Sequence, residues 1–364
     1  MGKAQARKRF GVTKDRRNSP WLVILGVLLA LGPGAGGARA QGLGKATFTA
    51  QSSCPAGALA LPNARTTCYA VAIQNCAGAS QFVAWLKVTK LATGVVKGTV
   101  LFTTGTGGSN WYDQAFTFGS LVVSSVVQAG YAAAQINFQD FSNSIQEPSG
   151  WLTVLDGSNQ GPGNLACRYA TLASDYVKDR SYPGGNLAAT GNSAGGGLIA
   201  YALARYGLGT GPVLTLAEVT SGPPLARVDN GCLCNQAPAL TPAGQGFMSQ
   251  CYFGDGSQVI DPTYAATPGA CSGSEQSHVE PAGINFLADS IVNGSEFTSY
   301  SQTTVNVLFG GQDTSAAVPN AINWANSNVI SAKKLSITYV PDAPHSLLNS
   351  LPGALQVIAD LTSF

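Results

Sequence analysis

The sequence predicts an α/β fold in which helices cover both faces of a mostly parallel central sheet. Short apolar runs of β-type residues alternate with helical stretches along most of the chain, and such alternation is typical of parallel strands joined by crossover helices. Hydrophobic residues make up 45% of the 364 residues and charged residues 10%, which is the opposite of the balance in a disordered chain. One stretch, 221–302, interrupts the alternation and predicts an insertion.

The first elements are strands. Two β-type runs, 69–74 and 82–89, are separated by a loop that contains Cys and Gly. A continuous apolar run at 99–103 predicts a strand that ends in a glycine-rich loop. Residues 116–128 have helical character, and 131–138 predict the next strand.

The middle of the chain continues this order. Residues 139–163 are rich in Ser, Asn, Gly and Pro and predict a loop, after which 165–178 predict a helix. A short buried strand at 186–190 precedes a helix at 194–206, and 213–220 predict another strand.

After the insertion the alternation resumes. The predicted elements are a strand at 304–310, a helix at 318–326, a strand at 335–340 and a last helix at 351–361. Because strands lie on both sides of 221–302, we expect one domain, 41–364, with a cap-like insertion at 221–302. A separate second domain agrees less well with this pattern.

The first forty residues have the three parts of a secretory signal peptide. Seven Lys and Arg residues lie between positions 3 and 17, an apolar run of 11 residues occupies 21–31, and Ala38-Arg39-Ala40 is an A-x-A cleavage site. That run is too short for a bilayer, which takes about 20 residues. We therefore expect cleavage after Ala40 and an extracellular or periplasmic protein. An uncleaved anchor is the alternative, and Arg16-Arg17 leaves the export route open between general secretion and the twin-arginine pathway.

The positive charge of the full chain belongs to the leader. Residues 1–40 hold eight of the 20 Lys and Arg residues and one of the 18 Asp and Glu residues, so 41–364 carry 12 basic against 17 acidic residues, a net charge of −5. No basic patch predicts a nucleic acid partner, and no lysine-rich amphipathic helix predicts membrane docking. Once the leader is cleaved, we expect no stable membrane insertion.

All eight cysteines follow the predicted leader, at positions 54, 68, 76, 167, 232, 234, 251 and 271. An even number in an exported chain predicts disulfide bonds, although eight cysteines allow 105 pairings. The chain has no paired C-x-x-C motifs and two histidines, so the spacing predicts neither a metal site nor a metal cofactor. We expect no cofactor of any kind.

The segment Gly191-Asn192-Ser193-Ala194-Gly195 matches the pattern G-x-S-x-G. It follows a predicted strand and opens a predicted helix, as a nucleophile elbow requires. Glycines permit a tight turn that holds the serine above the sheet at a helix N-terminus, where backbone N–H groups favour a developing oxyanion. An ordinary glycine-rich turn is the alternative, and the strand–helix context favours Ser193 as a nucleophile.

A serine hydroxyl needs a base, and the chain offers His278 and His345. His345 follows the last predicted strand, so it lies at the carboxyl edge of the sheet and can face Ser193. His278 lies in the insertion, where we expect an exposed residue. His345 is therefore the predicted base.

The third member of such a site is a carboxylate that orients the base. Asp313 leaves the carboxyl end of the predicted strand 304–310 and gives the chain order Ser, Asp, His. Asp342 is closer to His345 in sequence, but its loop position favours a surface turn. We therefore predict Asp313.

An oxyanion hole needs two backbone donors. One is the N–H group of Ala194, and the other is expected from the loop after 99–103, among Gly105, Thr106 and Gly107. A phosphate-binding loop is excluded because no lysine follows. Trp111 and Tyr112 come next, and they either line a substrate pocket or pack the loop.

On these residues the chain resembles the α/β-hydrolase superfamily, and within it the secreted esterases and lipases. The resemblance covers about residues 65–364 and rests on the elbow, Asp313, His345 and the 105–108 loop. The run Gly191-Asn-Ser-Ala-Gly-Gly196 is similar to the serine motif of hormone-sensitive-lipase-like esterases, although Thr104-Gly-Thr-Gly-Gly108 stands where that group has His-Gly-Gly-Gly. The resemblance implies that 221–302 form a cap that shapes substrate access.

The implied reaction is acyl transfer from a small-molecule or polymeric ester, through an acyl-enzyme on Ser193, by a monomeric protein. The alternatives are an extracellular polyester depolymerase, a secreted serine peptidase and an inactive surface-binding relative, because the fold alone does not fix the substrate. The intact set of Ser193, Asp313 and His345 argues against the inactive relative.

Overall fold

A computed structural model of the protein describes residues 42–55, 61–139, 141, 150–210, 213–240, 247–293, 299–329 and 331–364. The predicted signal peptide, 1–40, lies outside the described residues. The described residues all belong to one compact unit, Ala38–Phe364. Their strands form one large sheet and a separate two-stranded pair.

Eleven strands are described in this unit. They are β1 (Lys45–Ala50), β2 (Ala64–Gln74), β3 (Phe82–Leu91), β4 (Gly98–Thr103), β5 (Ala132–Asn137), β6 (Asn186–Asn192), β7 (Leu216–Thr220), β8 (Ala239–Leu240), β9 (Phe247–Met248), β10 (Thr304–Gly310) and β11 (Lys334–Val340). The large sheet has nine strands in the order β1-β2-β3-β5-β4-β6-β7-β10-β11. The pairs β1–β2, β2–β3 and β3–β5 are antiparallel, and every later pair in that order is parallel. The mostly parallel sheet expected from the sequence is confirmed.

Eleven α-helices are described as well. They are α1 (Tyr112–Ala115), α2 (Gly119–Gln128), α3 (Gly161–Leu165), α4 (Cys167–Tyr176), α5 (Ala194–Ala204), α6 (Val228–Leu233), α7 (Asp255–Val259), α8 (Ala270–Ser277), α9 (Phe286–Asp289), α10 (Ala317–Asn328) and α11 (Leu351–Leu361).

The two faces of the sheet are covered by different helices because successive strand residues point to opposite sides. In β4, Val100 and Phe102 pack into a core with α2 and α11, whereas Leu101 packs into a larger core with α4, α5 and α10. All six residues of β4 are buried, which explains its unbroken apolar run. Coverage of both faces, as predicted, is therefore confirmed.

The N-terminal edge of the sheet holds a strand that the sequence pattern did not reveal. β1 pairs with β2, and the N–H group of Ala46 donates to Oδ2 of Asp175 at 2.9 Å. Its residues are exposed or half-buried, so its composition lacks the apolar run that marks an inner strand. Pairing with β2, rather than a local preference, creates this strand.

The eight cysteines form four disulfide bonds. The pairs are Cys54–Cys68, Cys76–Cys167, Cys232–Cys271 and Cys234–Cys251. Four disulfides favour an extracellular or periplasmic protein, because the cytosol keeps thiols reduced. Among the described helices, none combines the length and the apolar composition that a bilayer crossing requires.

The chain between β7 and β10 leaves the sheet and returns to it, since these two strands pair directly with each other. Within the described residues of 221–302 lie helices α6 to α9, the β8–β9 pair and two of the four disulfides. Both disulfides join segments of this stretch to each other. That the stretch acts as a cap stays a prediction.

Candidate active site

Ser193 occupies the turn between β6 and α5 in a conformation that few residues adopt. Its φ is 53° and its ψ is −121°, a positive φ that disfavours any residue with a Cβ. Its N–H group donates to the carbonyl of Thr220 at 2.8 Å, and its carbonyl accepts from the N–H group of Gly197 at 3.1 Å. The strained turn is therefore held from the neighbouring strand and from the first turn of the helix.

The flanking glycines are required by the closeness of the backbone around them. A Cβ atom on Gly191 would lie 2.6 Å from the carbonyl oxygen of Gly195, and a Cβ atom on Gly195 would lie 2.5 Å from the carbonyl oxygen of Thr104. Both contacts involve backbone atoms, which cannot move aside cheaply. The two glycines of the G-x-S-x-G pattern are therefore needed because β6, α5 and the loop after β4 lie in close backbone contact.

His345 and Asp313 are joined by a hydrogen bond at the carboxyl edge of the sheet. Nδ1 of His345 lies 2.8 Å from Oδ2 of Asp313. The Asp313 side chain is 1% exposed and the His345 side chain is 36% exposed. Because a carboxylate accepts, the ring carries its proton on Nδ1, and Nε2 is left as a base.

Ser315 contacts both members of this pair. Its N–H group donates to Oδ1 of Asp313 at 3.0 Å, and its hydroxyl lies 3.2 Å from Nδ1 of His345. Both carboxylate oxygens of Asp313 are thus engaged. Sequence reasoning missed Ser315, although its position two residues after the predicted acid was the available signal.

The loop that carries His345 is tied to the ends of two other strands. The hydroxyl of Ser221, directly after β7, donates to the carbonyl of His345. The N–H group of Gln312, two residues after β10, donates to the carbonyl of Ala343 at 3.0 Å. Sequence reasoning also missed Ser221, because this contact joins residues 124 positions apart.

The three predicted residues follow three parallel strands. Ser193 comes after β6, Asp313 after β10 and His345 after β11, so the chain order is Ser, Asp, His. A strand–turn–helix elbow in a mostly parallel sheet with this order identifies the architecture. The chain has the α/β-hydrolase fold.

The rival residues lie elsewhere in the fold. Asp342 is an exposed turn residue with a φ of 61°. His278 is exposed at the end of α8, and its Nδ1 lies 2.7 Å from the carbonyl of Leu233. Neither residue lines the cleft that contains Ser193.

The loop after β4 packs directly against the elbow. A Cβ atom on Gly105 would lie 3.3 Å from Cβ of Ser193, and Thr106 has a positive φ of 50°. Trp151 fixes the loop, since its Nε1 donates to the carbonyl of Thr106 at 3.2 Å and its N–H group donates to the carbonyl of Gly107 at 2.8 Å. With these carbonyls held by Trp151, the loop has a fixed orientation beside Ser193.

The N–H groups expected in the oxyanion hole are available. Within the described part of the chain, those of Ala194, Gly105, Thr106 and Gly107 donate no hydrogen bond. The three loop residues line the cleft that contains Ser193. An incoming oxyanion can therefore meet donors that are not already engaged.

The expectation that Trp111 and Tyr112 line a substrate pocket is not met, and the packing alternative holds. Trp111 is 2% exposed and Tyr112 is fully buried. The Tyr112 ring packs against Phe102 at 4.8 Å between centroids, and the Trp111 ring lies beneath the Lys87 ammonium at 4.7 Å. Both aromatic rings therefore anchor the loop to the sheet, and neither lines the cleft.

Ser193 and His345 open into one cleft of about 570 Å³. Its walls come from the loop after β4, the end of α1, Leu152 and Thr153, the α7 region of the insertion and the His345 loop. No hydrogen bond joins the Ser193 and His345 side chains among the described residues, and such contacts often form only when substrate is bound. No group of three or more metal-ligating side chains occurs in the described part of the chain.

No protein-family model matches the chain, and no curated protein matches it. Solved structures do match. The chain is similar to a bacterial heroin esterase at 12% identity and a TM-score of 0.49, over 84% of this chain and 85% of that one. It is also similar to acetyl xylan esterase 1 from Thermoanaerobacterium, at 17% identity and a TM-score of 0.47, over 88% of this chain and 89% of that one. A third similar structure is dienelactone hydrolase from Anabaena variabilis, at 15% identity and a TM-score of 0.42, over 83% of this chain and 96% of that one. At these low identities, the likeness concerns the fold alone.

Proposed function

We propose that this protein is an exported serine hydrolase that cleaves carboxylic esters through an acyl-enzyme on Ser193. The observation that carries the proposal is the cleft lined both by Ser193, in its strained turn, and by His345, whose ring is hydrogen-bonded to Asp313. Nucleophile, base and orienting acid are the three parts that acyl transfer by a serine needs.

In the first half-reaction, Nε2 of His345 takes the proton of the Ser193 hydroxyl while the oxygen attacks the ester carbonyl. Asp313 keeps the ring in the required tautomer and stabilises the imidazolium that forms. The N–H group of Ala194 and one from the 105–107 loop hold the oxyanion. One such donor typically contributes about 10²- to 10³-fold in kcat.

The first half-reaction ends when the bond to the alcohol breaks and the alcohol leaves with the proton from His345, which forms the acyl-enzyme. In the second half-reaction, water takes the place of the alcohol, gives a proton to His345 and attacks the acyl carbonyl. The bond to the Ser193 oxygen then breaks, His345 returns the proton to that oxygen, and the carboxylic acid is released. The same base and the same oxyanion donors thus serve both steps.

Export is part of the proposal. The four disulfides support it, since they persist in oxidising compartments. The leader expected at 1–40 is tested by N-terminal sequencing of protein collected outside the cytoplasm. A mature chain that begins at Gln41 is the expected result, and retention of 1–40 contradicts cleavage.

The nucleophile is tested by labelling with a fluorescent fluorophosphonate. We expect the native protein and a Ser52→Ala variant to be labelled, because Ser52 is an exposed serine outside the cleft. We expect Ser193→Ala to lose the label. Labelling that persists in Ser193→Ala overturns the assignment.

The bond that is cleaved is tested on a panel of p-nitrophenyl esters, peptide anilides and a polyester film. Turnover of the esters is expected. Turnover of anilides alone points to a peptidase, erosion of the film alone to a depolymerase, and inactivity on all three to a binding protein.

A further inference from the structure

The cleft around Ser193 is lined mainly by uncharged side chains that can form hydrogen bonds. Six of them make no side-chain hydrogen bond within the described part of the chain. They are Thr106, Ser109, Asn110, Thr153, Gln258 and Ser346. They come from four separate parts of the fold, so they surround the cleft and do not form a single polar patch.

These groups are open to a ligand in a way that other cleft residues are not. The hydroxyl of Thr104 lies 3.4 Å from the carbonyl of Asn110, and Oδ1 of Asn192 lies 3.4 Å from the hydroxyl of Thr220. Those two side chains therefore already have partners in the protein. A ligand that displaces water from the six open side chains must replace the hydrogen bonds that water made.

Charge is missing from the described lining of the cleft. His345 is the titratable side chain among the described lining residues, and no Lys, Arg, Asp or Glu accompanies it. The apolar side chains of the described lining are those of Ala115, Phe116, Leu152 and Pro262. A long hydrocarbon chain would have to run along hydroxyl and amide groups and leave them unpaired, which is unfavourable.

We infer that the cleft takes an uncharged ester with a short acyl group and a hydroxyl-rich alcohol portion, of the chemical class of acylated sugars. The inference rests on the proposed function, because it names the substrate class of the same site. Hydroxyl groups both donate and accept, so they match side chains of Ser, Thr, Asn and Gln. Hydrogen-bonding sites discriminate strongly against analogues that lack the matching group.

The test compares acetyl esters that differ in the alcohol alone. Glucose that carries a single acetyl group, and hexyl acetate, are supplied to the purified mature protein. The release of acetate is followed to obtain kcat/KM for each ester. We expect a value at least about tenfold higher for the sugar ester, as for one well-formed hydrogen bond. Replacing acetyl by decanoyl on the same sugar is expected to lower kcat/KM.

A matched pair of variants connects the preference to the cleft. Thr153→Val removes one open hydroxyl with little change of shape, and Thr49→Val makes the same change on the exposed strand β1. Thr153→Val is expected to lower kcat/KM about 3- to 10-fold for the sugar ester and not to lower it for hexyl acetate, whose alkyl group cannot pair with that hydroxyl. Thr49→Val is expected to change neither.

The substrate class is overturned if the native protein has an equal or higher kcat/KM for hexyl acetate than for the sugar ester. It is also overturned if Thr153→Val lowers kcat/KM equally for both esters. In either case the proposed hydrolase activity stands. Erosion of a polyester film without turnover of the sugar ester likewise overturns the substrate class alone. The proposed function itself fails if the fluorophosphonate label does not depend on Ser193. The two failures are therefore distinguishable.

Discussion

Nδ1 of His345 lies 2.8 Å from Oδ2 of Asp313, across 32 residues of sequence. The carboxylate is almost fully buried and the ring is about one third exposed, so the acid is shielded while the base reaches the cleft. Burial strengthens the electrostatic interaction between the carboxylate and an imidazolium. The pair is therefore suited to hold a proton that arrives from Ser193.

Asn substitutions at the two rival carboxylates separate their roles. Asp313→Asn is expected to lower kcat by about 10⁴-fold, since the amide favours the wrong tautomer of His345. Asp342→Asn is the control, because Asn tolerates the positive φ of that exposed turn. Ester hydrolysis by both variants measures the difference. A large loss in Asp342→Asn with activity kept in Asp313→Asn contradicts the assignment.

Ser315 is expected to position the His345 ring. Ser315→Ala removes the hydroxyl that lies 3.2 Å from Nδ1 but keeps the N–H group that binds Asp313. We expect kcat to fall about 3- to 10-fold with KM unchanged, as for the loss of one orienting hydrogen bond. Ser315→Thr, which restores a hydroxyl, is expected to recover activity. A change in KM with constant kcat argues instead for a contact with substrate.

Trp151 is expected to act through the oxyanion loop. Trp151→Phe removes the Nε1 hydrogen bond to Thr106 and keeps an aromatic ring in the core. Trp324→Phe is the control, since this equally buried tryptophan has no hydrogen bond at Nε1 in the described structure. Both variants remove part of a buried indole, and Trp151→Phe should lose more stability in thermal unfolding because it also loses a hydrogen bond. The kcat should fall about tenfold in Trp151→Phe and stay constant in Trp324→Phe. Equal kcat values contradict a role for Trp151.

Glu218 is expected to make stability depend on pH. This carboxyl lies fully buried on β7 and accepts from the hydroxyl of Thr190 at 2.9 Å. Burial, together with the nearby Asp360, raises the pKa of Glu218 well above its usual range. The native state thus holds the proton to a higher pH than the unfolded chain does, so this contribution to stability is full below the unfolded pKa and declines as the pH rises.

Glu218→Gln removes that decline and keeps an oxygen that can accept from Thr190. The midpoint temperature of unfolding should therefore rise relative to the native protein, and the gain should be larger at pH 8 than at pH 4. Calorimetry at both pH values measures it. A gain that is largest at pH 4 reverses the sign and contradicts the raised pKa.

Features that depend on neighbours in sequence could be predicted from the sequence. The turn at Ser193 is recognisable because glycines, an apolar strand and a helix lie within a few residues of it. Inner strands such as β4 are recognisable because burial on both faces requires an unbroken apolar run. The choice of His345 was also possible, since the chain has two histidines and one of them follows a sheet strand.

Features that depend on contacts between distant residues were decided by the tertiary structure. The fold selects one cysteine pairing from 105 possibilities. The strand β1 forms through its pairing with β2. The hydroxyl of Ser221 contacts the His345 loop across 124 positions of sequence. Likewise, the sequence left open whether Trp111 and Tyr112 face the cleft or the core. The direction of a loop side chain is set by the partners that the fold brings to it, and local propensity does not encode those partners.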